Sequence, residues 1–276
     1  MNATRPVLVT TDGSSHSHRV LPYAAQLASA LEAPLVLLTV VGGAGDVAPV
    51  EAELRATLSR LGLQGEPRVE VNETKRGTAD VILDVARAEQ ASVLAIDSRG
   101  HGALRHVLHG SVALDVLSRA DLPLLVSGPN LEPSPPSADT YDIVATSDGS
   151  PASGAVLGAI ASLGTPEGLS VTLLRVHEDE PGGADNTAIV RQCEEQLEAA
   201  RKQLPLEMAV ETLVQQIPRG AGVDTAIIEA AVQRGANAIA MSTHGHSARQ
   251  HVVMGSVALL LLGRSPLPLL LARAAV

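Results

Sequence analysis

Two stretches of the chain carry residue types that could hold an anion. Residues 241–257 read MSTHGHSARQHVVMGSV, with Gly245 and Gly255 separated by nine residues and Ser256 beside the second glycine. Residues 97–112 read DSRGHGALRHVLHGSV, with Gly100, Gly110 and Ser111 in the same places. Each Gly-Ser pair opens an apolar run, VALLLL in one case and VALDVL in the other. A helix beginning there offers unpaired amide N–H groups and the positive end of its dipole, and the serine hydroxyl adds a donor. A glycine near a strand end lets backbone approach a phosphate closely. Plain turn chemistry competes with this reading, because neither loop matches the GxxxxGK[ST] or GxGxxG phosphate fingerprints.

A second constellation is Asp-Gly-Ser, at Asp12-Gly13-Ser14 and again at Asp148-Gly149-Ser150. An aspartate after a strand can accept hydrogen bonds from ribose hydroxyls. The same tripeptide also makes an ordinary turn or helix cap, but its repetition at matching places favours a binding role. The histidines point elsewhere than to metal. His101 matches His246 and His106 matches His251, while Arg99 is replaced by His244 and His109 by Met254. No HExxH pattern or cysteine cluster accompanies them, and Cys193 is the only cysteine, so no metal site is expected. A phosphate-facing role or a solvated loop position fits these histidines better. His16 and His18 have no counterparts and read as local decoration.

These residues belong to a chain that repeats itself. PVLVTTDGSS at 6–15 returns as DIVATSDGSP at 142–151, an offset of 136, and the stretch at 92–125 returns at 237–270, an offset of 145. Over those last 34 positions 17 are identical. The nine-residue difference must fall inside the repeat, most naturally after its second strand. Between the copies, GPNLEPSPPSADT has four prolines and little apolar content. We therefore expect a first domain over 1–127, a Pro-rich linker over 128–140 and a second domain over 141–276.

Composition narrows the function classes. Apolar residues make up 45% of the chain, but the aromatics are two tyrosines with no Trp or Phe, so the core must be Leu, Val, Ile and Ala. A net charge of −10 argues against broad binding to nucleic acid or anionic membranes. No run reaches the roughly 18 apolar residues of a membrane span, and the N-terminus lacks a signal-peptide layout. A cytoplasmic location is expected.

Short apolar runs alternate with helical patterns. Strands are expected at 6–11, 35–41, 68–73, 92–96 and 123–126, and again at 142–146, 170–176, 207–214, 238–241 and 268–271. Helices are expected at 20–31, 51–61, 79–89 and 111–119, and again at 155–163, 187–203, 224–234 and 256–262. Buried strands separated by helices indicate an α/β fold with a parallel sheet covered on both faces. The pattern alone does not give the strand order.

Taken together, these motifs resemble the universal stress protein family, in a tandem form that covers the chain outside the linker. The carrying features are the strand ending in Asp-Gly-Ser, the Gly-x-x-Gly-x9-Gly-[Ser/Thr] loop, and the closing strands LPLLV and LPLLL. GTADVILDVA at 77–86 and GVDTAIIEAA at 222–231 also look like the family. The resemblance implies two open sheets of order 3-2-1-4-5, with ATP held at the strand ends. It likens Asp148 to the family's ribose- or adenine-side carboxylate, Val176 to the residue whose backbone meets adenine, and Gly245, Gly255 and Ser256 to its phosphate contacts, with Gly149, Ser242, His244, His246 and Val257 expected in the same nucleotide site. The first copy offers Asp12, Gly13, Val40, Gly100, Gly110, Ser111 and Val112. Both copies depart from the pattern at the loop's first glycine, which is Ser242 in one and Asp97 in the other. A carboxylate beside a triphosphate is repelled by about 1–4 kcal/mol in solvent-like surroundings, so the second site is expected to be the better one.

The expected function is an adenine-nucleotide-binding stress or signalling module, with ATP, with or without Mg2+, as its ligand and no catalytic residues assigned. A structural or interaction protein that uses the paired copies as a surface is the alternative. A slow ATP hydrolase is a weaker one, because no spacing separates a general base from a binding group. The two copies should form an intramolecular pseudo-dimer through their final strands, and a homodimer of such chains is left open.

Overall fold

The structure, a computed structural model, describes residues 5–98, 111–137, 139–179, 186–243 and 254–273. In the first half the elements run β1 Val7–Thr10, α1 Leu21–Ala30, β2 Leu35–Val41, α2 Val47–Arg60 and β3 Glu66–Val71. They continue with α3 Thr78–Ala88, β4 Val93–Asp97, α4 Ser111–Arg119 and β5 Leu124–Ser127. The second half repeats the order: β6 Tyr141–Thr146, α5 Gly154–Ala161, β7 Leu169–Glu178, α6 Thr187–Arg201 and β8 Ala209–Ile217. Then come α7 Val223–Gln233, β9 Ala238–Ser242, α8 Ser256–Arg264 and β10 Leu269–Ala272.

The strands form one ten-stranded sheet in the order β3-β2-β1-β4-β5-β10-β9-β6-β7-β8. Each half is thus the expected 3-2-1-4-5 arrangement, parallel throughout, and the halves meet where β5 and β10 pair antiparallel. In that pairing Leu125 faces Leu270, which is its own counterpart in the repeat. An approximate twofold axis therefore passes between these two leucines. Both are essentially unexposed, and the apolar closing strands bury each other instead of leaving an open edge.

Register also locates the extra nine residues. Val36 pairs with Glu66, 30 positions on, whereas its counterpart Thr172 pairs with Glu211, 39 positions on. The insertion therefore lies between the second and third strands of the second half. Several element limits differ from expectation, among them β3, found at Glu66–Val71 rather than 68–73, and β8, found at Ala209–Ile217 rather than 207–214; two others have local reasons. Helix α2 starts at Val47, after the 3-10 turn Ala44–Asp46, because Pro49 sits in its first turn, where no intrahelical N–H is needed. Strand β7 continues through His177 and Glu178, pairing with Gln216 and Ile217 of β8. Its polar end is partly exposed, so the acidic side chain does not break the ladder.

Segment 128–137 is docked rather than loose. From α1 and the turn before it, Arg19 donates to the carbonyls of Pro129 and Leu131, Tyr23 to those of Glu132 and Ser134, and Gln26 to that of Pro136. The second half holds its other side, with Asn130 donating to Gly263 O at 2.8 Å and Glu132 N to Pro266 O at 2.9 Å. Directly between the halves, Asn237 Nδ2 donates to Gln26 Oε1 at 2.9 Å. The chain's two tyrosines, Tyr23 on α1 and Tyr141 on β6, are both buried.

Candidate functional site

The Asp-Gly-Ser turns fold identically in the two halves. Gly13 and Gly149 take φ of +79° and +76°, in the left-handed region that favours glycine. The aspartate Oδ1 accepts the serine amide at 3.0 Å in both cases, Ser14 to Asp12 and Ser150 to Asp148. Behind the turn, hydroxyl pairs brace it: Thr11 with Ser17 at 2.7 Å, and Ser147 with Ser153 at 3.2 Å. Each pair also receives the glycine amide, on Thr11 Oγ1 at 3.0 Å and on Ser147 Oγ at 3.2 Å. Sequence reasoning missed these bracing hydroxyls. The signal for them was the serine three positions beyond each Asp-Gly-Ser.

In the second half this turn borders a cleft of about 360 Å³. It opens beyond the carboxyl ends of β6, β7 and β9, where crossovers leave β6 and β9 in opposite directions and open α/β sheets gather ligands. Of the residues named from the sequence, Asp148, Val176, Ser242, Gly255, Ser256 and Val257 line it. Asp148 is the one carboxylate among the described lining residues. Val223 and Ile227 of α7, with Met241 of β9, supply an apolar wall that sequence reasoning did not assign. Gly149 does not appear on the wall; it shapes the turn behind it.

Helix α8 begins at this cleft without a side-chain cap, so the amides of its first turn are not satisfied by one. Gly255 N donates to Thr243 O at 2.7 Å, which ties the helix start to the end of β9. A Cβ on Gly255 would lie 3.4 Å from the same carbonyl, an ordinary contact, and its φ of −66° is open to any residue. At the far end of α8, Arg264 pairs with the buried Asp224 of α7 at 2.7 Å. His244, Gly245 and His246 lie outside the described residues.

The first half differs in charge. Asp12 is exposed and Glu53 Oε1 is the nearest atom to Gly13's Cβ position, at 4.0 Å. In the second half Gln196 Oε1 and Arg175 Nη1 take the corresponding places around Gly149, at 2.8 and 3.3 Å. Thr39 stands where the second half has Arg175, and both reach the same carbonyl: Thr39 Oγ1 donates to Thr11 O at 3.0 Å and Arg175 Nη1 to Ser147 O at 3.2 Å. Val40 is half-buried at the end of β2, and Val112 is half-buried in the first turn of α4. Gly100 and Gly110 lie outside the described residues, as does the side chain of Ser111. Asp97 is buried at the end of β4 and accepts the Ser127 hydroxyl at 2.6 Å. Burial and the nearby Arg60 hold His18 below the usual imidazole range.

Among the described residues, no three His, Cys, Asp or Glu side chains gather as a metal site, and no helix is long and apolar enough to cross a membrane.

Two doubly wound parallel sheets in tandem, joined through their last strands and carrying a cleft at the switch point, define the class. The chain belongs to the universal stress protein family, whose profile matches residues 3–127 and again 142–273. A universal stress protein from Archaeoglobus fulgidus has a similar fold, with a TM-score of 0.62, 19% identity, and 99% of each chain covered. A putative universal stress protein from Pseudomonas aeruginosa gives 0.60 at 14% identity, over 99% of this chain and 94% of its own. None of the curated proteins matches the chain in sequence.

Proposed function

We propose that the second half binds an adenine nucleotide in the cleft between β6 and β9, and that this binding is regulatory. The supporting observation is the convergence on one cleft of about 360 Å³ of an aspartate, an apolar wall and an uncapped helix start. Asp148 would accept the ribose hydroxyls, Val176 and the α7 wall would pack on adenine, and the first turn of α8 would hold phosphate through Ser256 and Val257. ATP is the proposed ligand. With Asp148 as the cleft's described carboxylate, an accompanying Mg2+ would be held mainly by the phosphates. The proposal includes a cytoplasmic location and domains at 1–127 and 141–276 around a 128–140 connection.

The second cleft is the better site in this reading. In the first half Glu53 lies against Gly13, the residue after Asp12, and Asp97 takes the place of the loop's leading glycine. The buried Asp97–Ser127 pair favours a structural use of the first half. Calorimetry with ATP, beside acid extraction of co-purified nucleotide, tests the proposal. Gly255→Arg should weaken binding by about tenfold or more by blocking the helix start, while Asp12→Ala changes it little. An intact chain that neither retains nor binds nucleotide overturns it.

A further inference from the structure

We infer that Arg175 makes the second cleft a receptor for adenine nucleotides carrying an additional phosphate on the ribose ring, at the 2′ or 3′ position. The inference rests on the nucleotide reading above and names the ligand class of that site. Arg175 lines the cleft, and its guanidinium brackets Asp148 along the chain. Nη1 lies 3.2 Å from Ser147 O on one side and 3.3 Å from the Cβ position of Gly149 on the other. The charge therefore sits against the backbone of the two residues that flank Asp148 in the chain.

The guanidinium has donors to spare. It offers five N–H groups, and the bond to Ser147 is its one described hydrogen bond. Its Nε is buried without a partner, and no carboxylate among the described residues forms an ion pair with it. Closed to water, the Nε is equally closed to a ligand, so the remaining terminal N–H groups are the donors a ligand oxygen would meet. The fold itself does not need an arginine here. Thr39 makes the same link to the preceding turn in the first half with a neutral hydroxyl.

Strand order makes this cation a second anion subsite rather than part of the first. Across the sheet, β9, β6 and β7 are neighbours in that order. The α8 start follows β9, Asp148 follows β6, and Arg175 is on β7. The two anion-binding groups thus flank the ribose carboxylate from opposite sides, two strand spacings or about 10 Å apart. A nucleotide with only 5′-phosphates reaches the α8 side. One with a ribose phosphate as well reaches both, where the guanidinium would have to outweigh the repulsion that Asp148 exerts on such a group.

Calorimetry would compare 5′-AMP, adenosine 2′,5′-bisphosphate and adenosine 3′,5′-bisphosphate on the wild type, Arg175→Met, Arg175→Lys and Arg175→Thr. Thermal melts would confirm that each variant is folded. In the wild type one bisphosphate should bind about tenfold more tightly than 5′-AMP, the value of one charge-assisted contact. Arg175→Met and Arg175→Thr should erase that margin while leaving 5′-AMP binding nearly unchanged, and Arg175→Lys should restore part of it. If 5′-AMP binds and neither bisphosphate gains, the inference fails and the nucleotide reading survives. Equal weakening of all three ligands by Arg175→Met also overturns it, because the arginine would then stack on the base or shape the cleft. If no adenine nucleotide binds the wild type, both readings fail.

Discussion

Ser127 donates its hydroxyl to Asp97 across the paired ends of β5 and β4, at 2.6 Å and with both residues buried. At the matching register in the second half, Ala272 faces Ser242. The polar pair is thus peculiar to the first half. Ser127→Ala removes a donor to a buried carboxylate and should lower stability by about 1–2 kcal/mol in denaturant unfolding. Ala272→Ser, which meets no carboxylate, should change it by less than half as much. Equal effects would show that the Asp97–Ser127 bond contributes nothing distinctive.

The same aspartate bears on ligand binding. In a background where Gly255→Arg closes the second cleft, Asp97→Asn and Asp97→Gly should both raise the first half's affinity for ATP in fluorescence titration. Asp97→Gly should also lower the melting temperature, since Ser127 then loses its acceptor. A gain with Gly alone would assign the obstacle to shape rather than charge. No gain with either would remove electrostatic repulsion as the reason for ranking the sites.

The two tyrosines offer a pH test. Burial, reinforced by Glu132, pushes the Tyr23 hydroxyl up to about 12, and burial also pushes Tyr141 well above its ordinary 10.0. The unfolded chain releases these protons near pH 10 while the folded chain keeps them, so it binds fewer protons than the folded state above that point. Stability should be unaffected below about pH 10 and fall as pH rises toward 12. Absorbance of the phenolate should appear together with unfolding rather than before it. Two ordinary titrations near pH 10 in a folded protein would contradict the burial of both hydroxyls.

Helix ends give a fourth test. After α3, Gln90 is held at φ +51°, and after α7 its counterpart Gly235 sits at +68°. Both ends close alike, with Ala91 N bonded to Ala86 O at 2.9 Å and Ala236 N to Ala231 O at 3.0 Å. Gln90→Gly should stabilise the protein by about 0.5–1 kcal/mol by relieving left-handed strain, and Gly235→Gln should destabilise it by a similar amount. Urea unfolding of the two variants reads both signs.

The architecture was legible because the repeat and the apolar runs survive in the sequence. Leu35–Val41 and Ser111–Arg119 fall where the pattern places them. Limits were lost where a local cue misled, as with Pro49 inside the first turn of α2 and the charged end of β7. At the site, Asp148, Val176 and the Gly255-Ser256 step could be picked out from motif and position. Arg175 could not, since a lone arginine on a strand carries no spacing signal. Only the alignment of Thr39 with Arg175, read beside the three-dimensional turn, exposes the change of charge. The docking of 128–137 was also hidden, because its hydrogen bonds come from carbonyls that every sequence possesses.

The pairing of Leu125 with Leu270 has an evolutionary consequence. Two separate copies would meet only as concentration allowed, and every substitution would appear on both sides of the axis. Joined through a short docked segment, the copies meet at a fixed effective concentration, and each can mutate alone. The fused chain can therefore hold a threonine at one turn and an arginine at the other, a pairing that no symmetric dimer of a single repeat could encode.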